Sequence, residues 1–168
     1  MQNIRIDAAV EATQFATARE LFVEYSKALG IDLCFQGFTE ELERLPALYS
    51  PPAGRLLLAR LGDDVVGCVA VRARGDAECE MKRLYVRSAH RGLQIGRSLA
   101  QALIEHARAD GHRRMVLHTL ESMTAARGLY RALGFTPCPP YDPVPVAGSV
   151  YLSLDLTAPD GTAPSSAT

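Results

Sequence analysis

The stretch that most constrains this chain runs from residue 77 to residue 119. An apolar run, AECEMKRLYV, leads to a turn with Gly92 and Gly96. Ile95, Leu99, Ala102, Leu103 and Ala107 then recur at helical spacing, and a second short apolar run, RMVLHT, follows. That succession is a strand, a helix and a strand. A helix linking two strands of one sheet carries the chain back across a face, so these two strands must lie parallel. Upstream, RLLLARL and DVVGCVAVRA are separated only by Gly62, Asp63 and Asp64, and a turn at Gly75 and Asp76 precedes the third run. Tight turns join antiparallel neighbours. The fold class is therefore mixed α+β: an antiparallel meander, one crossover unit, and a closing hairpin from residues 135–138 and 149–156.

Residues 3–7 read as a first short strand. Phe15, Ala18, Phe22, Tyr25 and Leu29 form the apolar stripe of a helix over residues 11–29, with Gly30 as its stop. The loop IDLCFQGF leads into a short acidic helix, TEELERL, and a turn with Pro51, Pro52 and Gly54. Gly111 stops the crossover helix. Ser122 or Thr124 is placed to cap a last helix carrying Ala126, Leu129, Tyr130 and Leu133, ended by Gly134. Nothing divides the chain, so one domain is expected over residues 1–156. The final twelve residues, TAPDGTAPSSAT, have nothing to bury and are expected to be disordered.

With 168 residues, 48% of them hydrophobic, the chain can bury a core without metal or disulfide. Cys34, Cys68, Cys79 and Cys138 make no CxxC pair and no zinc spacing, and read as reduced thiols. His90, His106 and His112 have no metal-ligand neighbour at the right spacing. The balance of 18 Lys and Arg against 19 Asp and Glu excludes a general nucleic-acid binder. The first residues lack the apolar block of a secretory signal, and no window approaches the ~20 apolar residues of a membrane span. A cytoplasmic protein with no membrane partner is the expectation.

Against that neutral total, residues 81–98 hold Lys82, Arg83, Arg87, Arg91 and Arg97 and no acid, a local charge of +5. The segment spans a strand end, a turn and a helix N-terminus, where free N–H groups and the helix dipole favour an anion. Gly92 and Gly96 let the backbone approach it. A diphosphate is the natural guest, and a solvated basic loop is the alternative. GxxxxGK[ST] and GxGxxG are both absent, so a nucleotide site is the weaker assignment.

Arg91-Gly92-Leu93-Gln94-Ile95-Gly96 resembles the acetyl-coenzyme A pyrophosphate loop of the GNAT N-acetyltransferase superfamily, [Q/R]-x-x-G-x-[G/A]. Gln94 stands where that pattern has its first glycine, a change accommodated if the residue need not take positive φ. The strand MKRLYV and the later LYRALGF also stand where that family has its cofactor strand and closing helix. The resemblance implies a central, mostly antiparallel mixed sheet with strands 4 and 5 splayed and helices on its flanks. It implies that Leu84, Tyr85 and Val86 bond the pantetheine arm through their backbone. Residues 92–97, Gly92, Leu93, Gln94, Ile95, Gly96 and Arg97, would hold the pyrophosphate, with Arg91 beside them and contacts from Ser98 and Ser122.

Acyl transfer from a thioester to an amine needs a neutral amine, a donor for the carbonyl oxygen and a proton for the leaving thiolate. The backbone N–H near Leu84 suits the second. By the resemblance Tyr130 faces the sulfur as general acid. Glu80 is the first choice as base, directly or through water, with His118 on the neighbouring strand. Acceptor walls are expected from Tyr25, Phe35, Gln36, Phe38, His118 and Tyr141, with PPYDPVPVAG as a lid. The implied activity is acetyl-CoA-dependent N-acetyl transfer to a primary amine, more readily of a small molecule than of a protein, by direct transfer in a ternary complex. A homodimer is a further implication of the resemblance. The alternative is an acyl-CoA-binding sensor or regulatory module without turnover.

Overall fold

The computed structural model describes residues 3–30, 37–142 and 147–157. Seven strands form one sheet in the order β1-β2-β3-β4-β5-β7-β6. They are β1 (Ile4–Ala8), β2 (Gly54–Leu61), β3 (Asp64–Arg74), β4 (Glu78–Val86), β5 (Arg114–Leu120), β6 (Thr136–Pro137) and β7 (Ser149–Asp155). The helices are α1 (Ala12–Leu29), α2 (Phe38–Glu43), α3 (Leu45–Leu48), α4 (Ile95–Ala109) and α5 (Thr124–Ala132). Every described strand pair is antiparallel except β4 with β5, the two strands joined through α4.

The central strands read as almost unbroken apolar runs because both faces of the sheet are covered. On one face Leu57, Val69, Met81, Met115 and Leu117 pack against Leu99, Leu103, Tyr130 and Phe135 of α4, α5 and the segment after it. On the other, Leu56, Leu58, Cys68 and Ala70 meet Phe15, Phe22, Phe38, Leu45 and Tyr49 from α1, α2 and α3. Gly30 ends α1 in the left-handed conformation, as its place after the apolar stripe requires.

Two irregularities shape the centre. Parallel pairing of β4 with β5 stops at Glu80 and Val116, so residues 81–86 have no strand partner on that side among the described residues. On the β3 side, Ala70 faces Lys82 while Cys68 faces Tyr85, so Arg83 and Leu84 together oppose Val69. This is a β-bulge, and Arg83 takes positive φ (58°) within it. The cap of α5 differs from expectation. Met123 is its N-cap residue with no side-chain capping bond, while Ser122 is exposed and offers its carbonyl to Thr124 N–H. Cys68 and Cys79 are buried free thiols and Cys138 a half-buried one; Cys34 lies outside the described residues.

Candidate active site

The cleft between β4 and β5 separates two groups of residues. On the cofactor side lies the head of α4. Ser98 N–H makes the first helical bond, to Gln94 carbonyl, and among the described residues the N–H groups of residues 92–97 donate to no protein acceptor. Six consecutive free donors at a helix start form a cradle for an anion. Gly92 enters it with φ 86°. Gln94 also takes positive φ (60°), so the residue in the glycine position does adopt the strained conformation. Gly96 takes no positive φ, and an added Cβ would sit in ordinary contact with Leu129 and Val86, each at 3.8 Å.

The basic run does not converge on this cradle. Arg83 is buried and grips Glu41 of α2 through two bonds of 3.0 and 2.8 Å. Arg87 holds Glu24 of α1 with two bonds of 3.0 Å. Lys82 turns to the same face, its ammonium 3.8 Å from Glu41. Only Arg91 and Arg97 stay at the loop, and Arg91 donates to Val86 carbonyl at 3.2 Å. The bulge at Arg83 breaks the alternation of the strand, so Lys82, Arg83 and Arg87 all turn towards α1 and α2, which a charge count along the sequence cannot resolve. Ser98 hydroxyl donates to Gln94 carbonyl at 3.1 Å, so it braces the helix turn.

Leu84 in the bulge, and Tyr85 and Val86 after it, lie on the part of β4 that β5 does not pair. Tyr130 on α5 is buried against Phe135, ring centroids 5.8 Å apart. Burial, and then the nearby Tyr25 phenol, raise its pKa, so it stays protonated at neutral pH. Tyr25 stacks edge-on against Tyr85 at 6.1 Å. Phe38 lies in the core with its ring 5.2 Å from the Arg83 guanidinium, not on a free wall. Phe35 and Gln36 lie outside the described residues.

Across the cleft, on the face of α1 to α3, three of the expected residues meet. Tyr141 hydroxyl donates to Glu80 Oε2 at 2.8 Å. His118 Nδ1 lies 3.6 Å from Glu80 Oε2 and 3.6 Å from Asp142 Oδ2, just beyond hydrogen-bond reach of either. Tyr151 hydroxyl donates to Asp142 at 3.4 Å, and the Arg74 guanidinium lies 4.5 Å from the centre of the Tyr141 ring. Burial pushes the Glu80 carboxyl up, but His118, the Lys82 ammonium and the Tyr141 hydroxyl outweigh it and hold it at about 2. Arg74, Asp142 and Tyr151 were not singled out in the sequence, although Tyr151 stands opposite His118 once β7 is paired with β5. No group of three or more metal-ligating side chains occurs among the described residues, and no described helix is long and apolar enough to cross a membrane.

The chain matches the model of the Acetyltransferase (GNAT) family over residues 18–135. It is 38% identical over 159 residues, 92% of this chain and 96% of the other, to a Schizosaccharomyces pombe protein described as an uncharacterized N-acetyltransferase. It is 35% identical over 133 residues, 76% of this chain and 84% of the other, to IAA acetyltransferase of Azospirillum brasilense. Among solved structures it resembles a GNAT-family acetyltransferase of Staphylococcus aureus, with TM-score 0.76 and 20% identity over 92% of this chain and 99% of that one. An acetyltransferase of Salmonella typhimurium, solved with acetyl-CoA, gives TM-score 0.68 and 24% identity over 95% and 99%. These two likenesses concern the fold. The family match itself runs through the splayed strands, the loop and α5, and on that ground the chain belongs to the GNAT acetyltransferase family.

Proposed function

We propose that the chain is an acetyl-CoA-dependent N-acetyltransferase that acetylates a primary amine of a small molecule by direct transfer in a ternary complex. The observation that carries this reading is the unpaired edge of β4, residues 81–86, which leads from the free N–H cradle of α4 to Glu80. A pantetheine arm bears amides and can add to such an edge like a strand, while a pyrophosphate suits the cradle. The residues present therefore fit the cofactor, which supplies the thioester.

The remaining work falls to side chains of this chain. Glu80, ionised at any pH well above 2, holds the acceptor's ammonium. So acidic a carboxyl is a poor store for an amine proton, because a base works best with a pKa near the working pH. The neighbouring His118 imidazole, its Nδ1 3.6 Å from both Glu80 and Asp142, takes the amine proton instead. A backbone N–H at the bulge, near Leu84, faces the carbonyl oxygen as it gains charge. Tyr130, held protonated, gives its proton to the leaving thiolate. Tyr25 and Tyr141 border the acceptor.

The test is steady-state thiol release over an amine panel, with calorimetry of acetyl-CoA binding. Tyr130→Phe should lower kcat by about a hundredfold and leave acetyl-CoA affinity within a few fold. Equal turnover in the two proteins removes Tyr130 from the chemistry.

A further inference from the structure

Lys82 is left over by the mechanism. It lies on the same face of β4 as Glu80, two residues on, so their Cα atoms are about 6.5 Å apart. Its ammonium is largely buried, with the side chain 15% exposed, and its one ion pair among the described residues is a long one of 3.8 Å to Glu41. That carboxylate is already gripped twice by Arg83. Arg72, opposite Glu80 on β3 and half-buried, makes no ion pair among the described residues. Burial and the Arg83 guanidinium push the Lys82 pKa down and, with a smaller contribution from Arg72, outweigh the upward pull of Glu80 and Glu41. Lys82 and Arg72 thus lie beside carboxylates that already have other partners: Glu41 is held by Arg83, and Glu80 accepts from Tyr141. A buried charge is costly without a partner.

From this placement we infer that the acceptor is a small amine that itself carries a carboxylate, an amino-acid-like molecule whose amine meets Glu80 and whose carboxylate meets Lys82, with Arg72 supporting. The inference rests on the transferase reading above. An arrangement of one anion and one cation at fixed spacing on a rigid strand selects a molecule bearing both charges and disfavours one lacking the carboxylate, because Lys82 then keeps only the long contact with a Glu41 that Arg83 already holds.

The experiment compares amino acids with their amides and with the corresponding decarboxylated amines, by thiol release for turnover and by calorimetry for binding of each to the protein with coenzyme A. The carboxylate-bearing acceptors should be preferred in kcat/KM by about ten- to a hundredfold. Lys82→Met should bring that preference down to a few fold through KM, and Lys82→Arg should restore much of it. Both variants should fold, since Glu41 keeps Arg83, and their melting curves check this. Turnover of decarboxylated amines and amides at equal or higher kcat/KM overturns the inference and leaves the transferase intact. So does a preference unchanged in Lys82→Met. Carboxylates that bind in a Lys82-dependent way without any acetyl transfer support the site and remove the transferase reading. Neither binding nor transfer removes both.

Discussion

Gln94 holds the left-handed conformation at the head of α4 with φ 60° and ψ 24°. A side chain at such a position costs about 1 to 2 kcal/mol, and glycine removes that cost while loosening the unfolded chain by about 0.4 to 1 kcal/mol. The first effect wins by roughly 0.5 to 1 kcal/mol. Gln94→Gly should therefore raise the melting temperature by about 2 °C in a chain of this size, whereas Gln94→Ala, which keeps the Cβ, should not. Calorimetric melts decide it, and a glycine variant that melts at or below the parent would show that the strain is absorbed elsewhere. The sequence located this residue correctly in the loop but not its backbone angle. The motif tells which residue departs from glycine; whether the turn still demands positive φ depends on how α4 docks on β4.

At the scale of elements, α2 is tied to the β4 bulge by Arg83 and Glu41, both side chains 5% exposed. The partners are 42 residues apart, so no local pattern announces them. Here sequence reading stops. The strands, α1 and α4 were legible because burial imposes periods of 2 and 3.6 on nearby residues, and the parallel pairing of β4 with β5 followed from the connecting helix alone. The bulge and the ion pair come from long-range packing. For the same reason Glu80, His118 and Tyr141 were named singly, while their meeting with Asp142 and Tyr151 needed the β5 and β7 register and the placement of the loop. Removing one member of a buried pair strands the other. Glu41→Gln should cost about 3 kcal/mol in urea unfolding, and the double variant Glu41→Leu, Arg83→Met should recover most of it. Equal losses in the single and double variants would mean that the apolar contacts of α2, not the ion pair, hold it down.

Over the whole molecule, carboxylates join parts that the sheet alone leaves separate: Glu41 ties α2 to β4, Asp110 ties the end of α4 to β2, and Glu80 ties β4 to the loop carrying Tyr141. In Glu41 and Glu80 burial alone would raise the pKa and is outweighed by their partners, while in Asp110 the Arg55 hydrogen bond is the main influence; all three end below their ordinary values. A carboxyl whose folded pKa is depressed binds its proton more readily when unfolded. Its stabilisation is complete above the unfolded pKa and is lost as the pH falls through the folded one. For Glu80 that window runs from about 4.5 down to about 2. Unfolding free energy measured in urea at successive pH values should therefore fall steeply across this range. Glu80→Gln, which keeps the shape and removes the titration, should be less stable than the parent at pH 7, with the difference shrinking as the pH drops from 4.5 towards 2. If the difference stays constant across the range, the Glu80 carboxylate is not held below its ordinary pKa in the folded protein, and the anchor proposed for the acceptor's ammonium loses its basis.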